Sequence, residues 1–272
     1  MRKPCLKRSL IALAFLLETN ASAQSISIDG SSTVYPITKV VADGFQKAMQ
    51  GSIKVAVGIS GTGGGFKKFC RGEIDINDAS RPILKAEIEA CNKSAVQYLE
   101  VAIAFDAVTV VVNPRNQWVK SFNIGDLRKI WQPGAQGKVT NWHQVRRSWP
   151  NHPLKLFGPG ADSGTFDYFT EVIVGKAKSS RSDFTASEND NVLVQGVAND
   201  RNGIGYFGYA YYSENQKKLR AVPIDAGKGP IAPSTQSVEN GTYRHCPVPC
   251  SSILTTERWI ARKEDSSSLS TF

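Results

Sequence analysis

Histidine is scarce in this chain. Its 272 residues hold three, His143, His152 and His245, each beside Trp, Pro or Arg in loop-like sequence, and none is placed as a poised general base. Long apolar runs are missing too. The compact one, residues 10–17, falls well short of the roughly 20 residues that span a bilayer. The common phosphate and nucleophile motifs fail on spacing. The glycine-rich run from Gly58 reaches Phe66 before Lys67 and Lys68, so it is no G-x-x-x-x-G-K-[ST] loop, and Gly61, Gly63 and then Phe66 break G-x-G-x-x-G. Gly58-Ile59-Ser60-Gly61-Thr62 and the Gly160 to Gly164 run both miss G-x-S-x-G. Without base, elbow or metal cluster, hydrolysis through Ser60 or Ser163 has little support.

Cysteine is sparse, with five in all. Cys5 precedes the apolar run, where a lipid anchor would need one after it. Cys246 and Cys250 sit in Cys-Pro-Val-Pro-Cys beside His245, and the prolines and the lack of a second ligand pair argue against zinc. Cys70 and Cys91 are spaced to close a modest loop, expected as a disulfide contributing about 3 kcal/mol in an oxidising compartment.

That compartment follows from the N-terminus. Arg2, Lys3, Lys7 and Arg8 precede the apolar run, which ends near Ala21-Ser22-Ala23. This is the pattern of a secretory signal over residues 1–23, leaving Gln24 first and the mature chain free outside the cytoplasm. The formal charge of +9 then becomes 9 − 4 + 1 = +6, once four cations and Glu18 leave with the signal. The surplus suits an anionic ligand, but the basic residues are scattered over what reads as a solvated surface, and nucleic acid is not expected.

Apolar runs alternate with helical stretches in an α/β pattern. Strands are expected over residues 25–29, 53–57, 74–76, 107–112 and 154–157, and helices over 36–49, 124–131, 164–174 and 191–199. Ligands of open α/β sheets bind outside the strands' carboxyl ends, near helix N-termini. Three such junctions here are made of Gly, Ser and Thr: Asp29 to Pro36, Ile59 to Phe66, and Gly158 to Phe166. A helix N-terminus presents unpaired N–H groups at the positive end of the helix dipole, and glycine lets backbone approach. Ser and Thr hydroxyls add uncharged donors, so converging ends can desolvate a tetrahedral oxyanion. Ordinary capping accounts for any single junction; three of one composition point further. Asn77-Asp78-Ala79-Ser80-Arg81-Pro82 adds Ser80 and Arg81, the arginine a planar two-pronged donor for phosphate.

Gly30 to Pro36, Gly58 to Phe66, Ala79 to Pro82, Ala161 to Phe166 and Gly203 to Tyr211, taken in order, closely resemble the phosphate-binding proteins of Pst-type ABC importers. The resemblance runs from about Ser25 to Tyr243. It implies a two-lobed periplasmic-binding-protein fold of type II, α/β with mixed sheets, one lobe from residues 24–105 with 245–272 returning and the other from 106–244. It implies a monomer that grips inorganic phosphate at the hinge cleft, uses no cofactor or metal and docks on a membrane permease. By the same resemblance Ser32, Thr33 and the Val34 backbone, then Ser60, Gly61 and Thr62, then Ser163, Gly164 and Thr165 are the ligands.

Two departures stand out. Relatives have an aspartate where Arg81 stands, and an arginine just upstream of the Ser-Gly-Thr loop where this chain has Pro159 and Gly160. The aspartate would accept the proton of hydrogen phosphate and reject sulfate; Asp162 is the nearby carboxylate left to accept, or else to cap the helix at Gly164. Sulfate or molybdate therefore stays an alternative ligand, and a secreted phosphatase a remoter one. After Tyr243-Arg244 the chain reads His245-Cys246-Pro247-Val248-Pro249-Cys250 where the family continues Pro-Leu-Ser-Arg-Pro-Leu-Phe-Ile-Tyr. A single shift of reading frame can relate the two strings. The tail is accordingly read as a segment either garbled by such a shift or simply divergent; if garbled, the first lobe lacks its return strand and closing helices.

Overall fold

The computed structural model describes residues 24–244 and 255–262. The expected signal (1–23), the Cys-Pro-Val-Pro-Cys segment and residues 263–272 lie outside them. Strands β1 (Gln24–Gly30), β2 (Ile53–Val57) and β3 (Ile76–Ala79) alternate with helices α1 (Tyr35–Ala48), α2 (Gly61–Phe69) and α3 (Lys85–Lys93). Strand β4 (Tyr98–Asp106) then leads to β5 (Val108–Val112), where the chain passes into a second sheet. There follow β6 (Phe122–Asn123), α4 (Ile124–Trp131), α5 (Trp142–Val145), β7 (Lys155–Pro159), α6 (Gly164–Val174), β8 (Thr185–Ser187), α7 (Asp190–Asn199), β9 (Gly203–Gly208) and α8 (Tyr209–Glu214). Short strands β10 (Arg220–Ala221), β11 (Ile224–Asp225) and β12 (Pro230–Ile231), helix α9 (Thr235–Glu239) and strand β13 (Thr255–Arg262) complete the described chain.

The first sheet has the order β2-β1-β3-β13-β4, the second β10-β5-β9-β7-β8, and β12-β11-β6 form a small third. Both large sheets are mixed, parallel where helices cross over and antiparallel at β13 and between β5 and β9. This is the two-lobed α/β architecture that the sequence implies. The return strand that a garbled tail would lack is present: β13 pairs antiparallel with β3 and β4. Backbone pairing asks only for extended conformation, which a Thr-Thr-Glu-Arg-Trp-Ile-Ala-Arg run rich in Thr, Trp and Ile favours.

Each lobe has its own interior. The second packs Trp131, Trp142, Phe169, Ile204 and Tyr206 into a large cluster, with Tyr206 stacked on Phe169 at 3.7 Å between ring centres. A further cluster, with Val111, Leu193, Val197 and Phe207, lies under α7. The first lobe's cluster is smaller and sits beneath α2. Phe66, Phe69, Ile74 and Ala79 pack there around Cys70 and Cys91, which a disulfide joins. The bond ties the end of α2 to α3, so the glycine-rich turn of α2 starts from a fixed base.

Candidate functional site

Strands β1, β2 and β3 are parallel neighbours, so their carboxyl ends open on one side of the first sheet. From β1 the chain turns through Ser31, Ser32 and Thr33 to Val34, the N-cap of α1, all of them buried. From β2 it reaches Ser60, the N-cap of α2. β3 runs later than the expected 74–76, so Ser80 and Arg81 follow it at once. In the second lobe β7 leads through Gly160 to Ser163, the N-cap of α6.

These four turns meet. Thr33 Oγ1 of the first lobe lies 3.3 Å from Thr165 Oγ1 of the second, and Thr62 Oγ1 lies 3.1 Å from Ser80 Oγ. The Gly63 N–H, in the first turn of α2, donates to the Asp162 carbonyl at 2.7 Å. The Tyr211 hydroxyl donates to the Ser32 carbonyl at 2.8 Å. Gly164 is pressed into the contact: a methyl group there would stand 2.5 Å from Ser80 Oγ and 3.0 Å from Thr62 Oγ1. Gly61 carries φ +74°, a left-handed conformation, and a methyl there would meet Glu188 Oε2 at 2.5 Å.

Capping does not account for the Ser60 hydroxyl. Ser60 Oγ makes no capping bond and, though buried, has no partner. Ser163 Oγ accepts from the Phe166 N–H only at 3.4 Å, beyond the usual range. A buried hydroxyl without a partner costs free energy, so a group for it to bind is the natural explanation.

Two expectations change in detail. Asp162 is not the helix cap, a place Ser163 takes; both its carboxylate oxygens accept from Lys67 of the first lobe, at 2.8 and 3.0 Å. Arg81 is present at the cleft but heavily engaged. Its Nε donates to Asp167 Oδ2 of α6 at 3.1 Å, its terminal nitrogens to the two Glu87 oxygens at 2.9 and 2.8 Å, and Nη1 also to the Pro82 carbonyl. Four of a guanidinium's five N–H groups are thus committed within the protein, leaving one on Nη2.

Three carboxylates at the cleft went unrecognised in the sequence. Glu87 also accepts from the Leu84 N–H as the N3 residue of α3, a local capping signal that was legible. Asp167 and Glu188 carried none. Burial raises the Asp167 pKa, against the pull of Lys178 and Arg81. Burial likewise raises Glu188, whose Oε1 accepts the Asp162 N–H at 3.0 Å and whose buried Oε2 has no partner. Among the described residues no three His, Cys, Asp or Glu side chains gather as metal ligands.

Two α/β lobes, closed on each other through hydroxyl- and glycine-rich helix ends, define a receptor of the periplasmic-binding type. The model of the PBP superfamily domain matches residues 18–248. A protein called SphX from Synechococcus elongatus is 51% identical over 251 residues, covering 89% of this chain and 74% of that one. The phosphate-binding protein PstS of Staphylococcus saprophyticus is 38% identical over 219 residues, 79% of this chain and 65% of the other. The crystal structure of a possible phosphate binding protein from Planctomyces limnophilus superposes with a TM-score of 0.58 at 45% identity, covering 88% of this chain and 82% of that one. The chain belongs to the PBP superfamily and, within it, to the PstS-like phosphate-binding proteins.

Proposed function

We propose that the protein is the phosphate receptor of an ABC-type importer. Outside the cytoplasm it captures orthophosphate between its lobes as a monomer, without a cofactor, and presents the closed form to a membrane permease. The observation that carries the reading is the meeting of four Ser/Thr/Gly turns from both lobes, one of which holds Ser60 Oγ, a buried hydroxyl with no partner. Hydroxyl pairs such as Thr33 with Thr165 and Thr62 with Ser80 can redirect their hydrogens to a shared oxyanion. The amide ends of α1, α2 and α6 then supply the positive potential.

Arg81 brings no net cationic charge to this point, because the carboxylates of Glu87 and Asp167 outnumber it. Selectivity therefore rests on hydrogen-bond geometry more than on charge. The names of the relatives support phosphate as the ligand, and the absence of bond-breaking chemistry follows the same reading. The test is calorimetric titration of the purified protein with phosphate, sulfate and molybdate, beside an assay with a chromogenic phosphate ester. Tight phosphate binding without turnover is expected. Preference for another oxyanion, or turnover of the ester, would overturn the assignment.

A further inference from the structure

We propose that the end of the second lobe remote from the cleft is a docking face for an anionic phospholipid bilayer, on which the protein rests by charge alone. The face is separate from the anion-binding turns, so the inference goes beyond the receptor reading; only its use, holding the protein near a permease, draws on that reading.

The net charge of the chain lies in one stretch. Residues 107–161 hold eight Lys and Arg against one acid, Asp126, a balance of +7. The rest of the chain from Gln24 onward holds 21 Lys and Arg against 22 Asp and Glu, a balance of −1. That stretch therefore carries the whole cationic surplus.

The fold gathers it at one end. β5 runs antiparallel to β9 and β7 runs parallel to it, so the turn after β5 and the start of β7 share the end opposite Ser163. Arg115 and Lys120 follow β5, and Lys155 opens β7. Residues 138–154 fold against them. The Trp142 N–H donates to the His152 carbonyl at 3.0 Å, the Leu154 N–H to the Thr140 carbonyl at 2.8 Å, and the Trp118 ring stands edge-on to Trp142 with 6.0 Å between centres. Lys138 and Arg147 are thereby brought to the same end.

Few acids answer these cations. Asp126 is buried and held by Arg146. Asp183, which accepts the Gly137 N–H, is held by Arg181. Asp200 accepts the Asn202 N–H beside Arg201, an exposed cation whose guanidinium lies over Trp118. Lys120, Lys138, Arg147 and Lys155 are all exposed, and among the described residues none of them forms an ion pair.

Such a face fits a bilayer better than a protein. A protein interface has an apolar, charge-poor centre, and among the described residues the large apolar side chains that stand exposed, Val40, Leu99 and Val101 among them, all lie outside residues 107–161. Outside the cytoplasm, where a receptor of this kind works, the extended anionic surface is the membrane itself. Unpaired Lys and Arg on several loops match a fluid array of lipid phosphates, each adding a small attraction that salt screens.

The test is sedimentation of the protein with vesicles, of phosphatidylcholine and phosphatidylglycerol in equal parts or of phosphatidylcholine alone. Binding to the anionic vesicles only is expected, and its loss at about 1 M salt, where charges are screened within a few ångströms. Lys120→Gln, Lys138→Gln, Arg147→Gln and Lys155→Gln combined are expected to weaken it about a hundredfold or more. Lys47→Gln, Lys54→Gln, Lys85→Gln and Lys93→Gln, which remove the same charge from the first lobe, are expected to leave it nearly unchanged. Both variants should bind phosphate as the wild type does, which shows them folded and keeps this test apart from that of the receptor reading. No binding to anionic vesicles, equal binding to neutral ones, or an equal loss in the two variants overturns the proposal. Binding to duplex DNA without binding to the vesicles overturns it as well. Should the second-lobe variant fail to fold, the lipid and salt dependence of the wild type decides alone.

Discussion

Arg81 of the first lobe donates through Nε to Asp167 Oδ2 of the second at 3.1 Å, and both side chains are about nine-tenths buried. Removing one partner from such a cluster is more costly than the pair is stabilising, since carboxylates are left without their cation. Arg81→Ala is expected to lower the unfolding free energy by about 3 kcal/mol or more and to weaken phosphate binding. Urea unfolding and calorimetry on the same preparation check this; an unchanged unfolding midpoint would contradict the engaged state of Arg81.

Ser60→Ala should behave in the opposite way. Its hydroxyl makes no bond within the protein, so deletion costs little stability and removes a buried unpaired group. Phosphate affinity is expected to fall by about 1.5–3 kcal/mol, as for a lost bond to a charged partner. If affinity held while stability dropped, Ser60 would be structural.

Gly164→Ala tests closure itself. The added methyl would meet Ser80 Oγ at 2.5 Å, Thr62 Oγ1 at 3.0 Å and Arg81 Cγ at 3.2 Å, all across the cleft. Each lobe keeps its own core, so thermal unfolding of the unliganded protein is expected near that of the wild type, while phosphate-induced stabilisation is lost. A variant that closed normally, seen as an unchanged decrease in radius of gyration on adding phosphate, would refute this contact.

Asp78 should leave a mark on the pH dependence of stability. Burial pushes its carboxyl up to about 7, opposed by the Thr38 hydroxyl and reinforced by Asp29. The folded protein then holds a proton that the unfolded chain has already released, so stability falls as pH rises from about 4 to about 7 and levels off above. Asp78→Asn removes this slope. Relative to the wild type it is expected to gain on the order of 1–4 kcal/mol between the two ends of that window. Denaturant titrations across the range check it, and parallel curves for the two proteins would count against a raised carboxyl.

Local signals in the sequence sufficed where structure is local. Residues 53–57, 124–131 and 164–174 carry a strand and two helices at the bounds that their periodicity predicts. The turns at Ser32, Ser60 and Ser163 were legible as helix starts. What stayed hidden depends on distance along the chain. Asp167 is 86 residues from the Arg81 that it pairs with, and Glu188 lies in a Ser-Glu-Asn-Asp run that looks like any helix entrance. β3 runs on past its expected end at residue 76 because Asn77 and Asp78, which look like a turn, are held extended by pairing with β1. β13 was missed because family likeness ends before it, whereas a slot between two strands accepts any segment able to stay extended.

That slot has a consequence for biogenesis. β4 hydrogen-bonds to its sheet only through β13 among the described residues, and β13 is formed by residues 255–262, the last of them. The second sheet draws on residues 108–221 alone. As the polypeptide emerges N-terminus first, that half can consolidate early, while β4 waits with an unzipped edge for a partner separated from it by some 150 residues. A chain stalled before Thr255 would carry one finished half and one open flank, a natural target for chaperones and proteases.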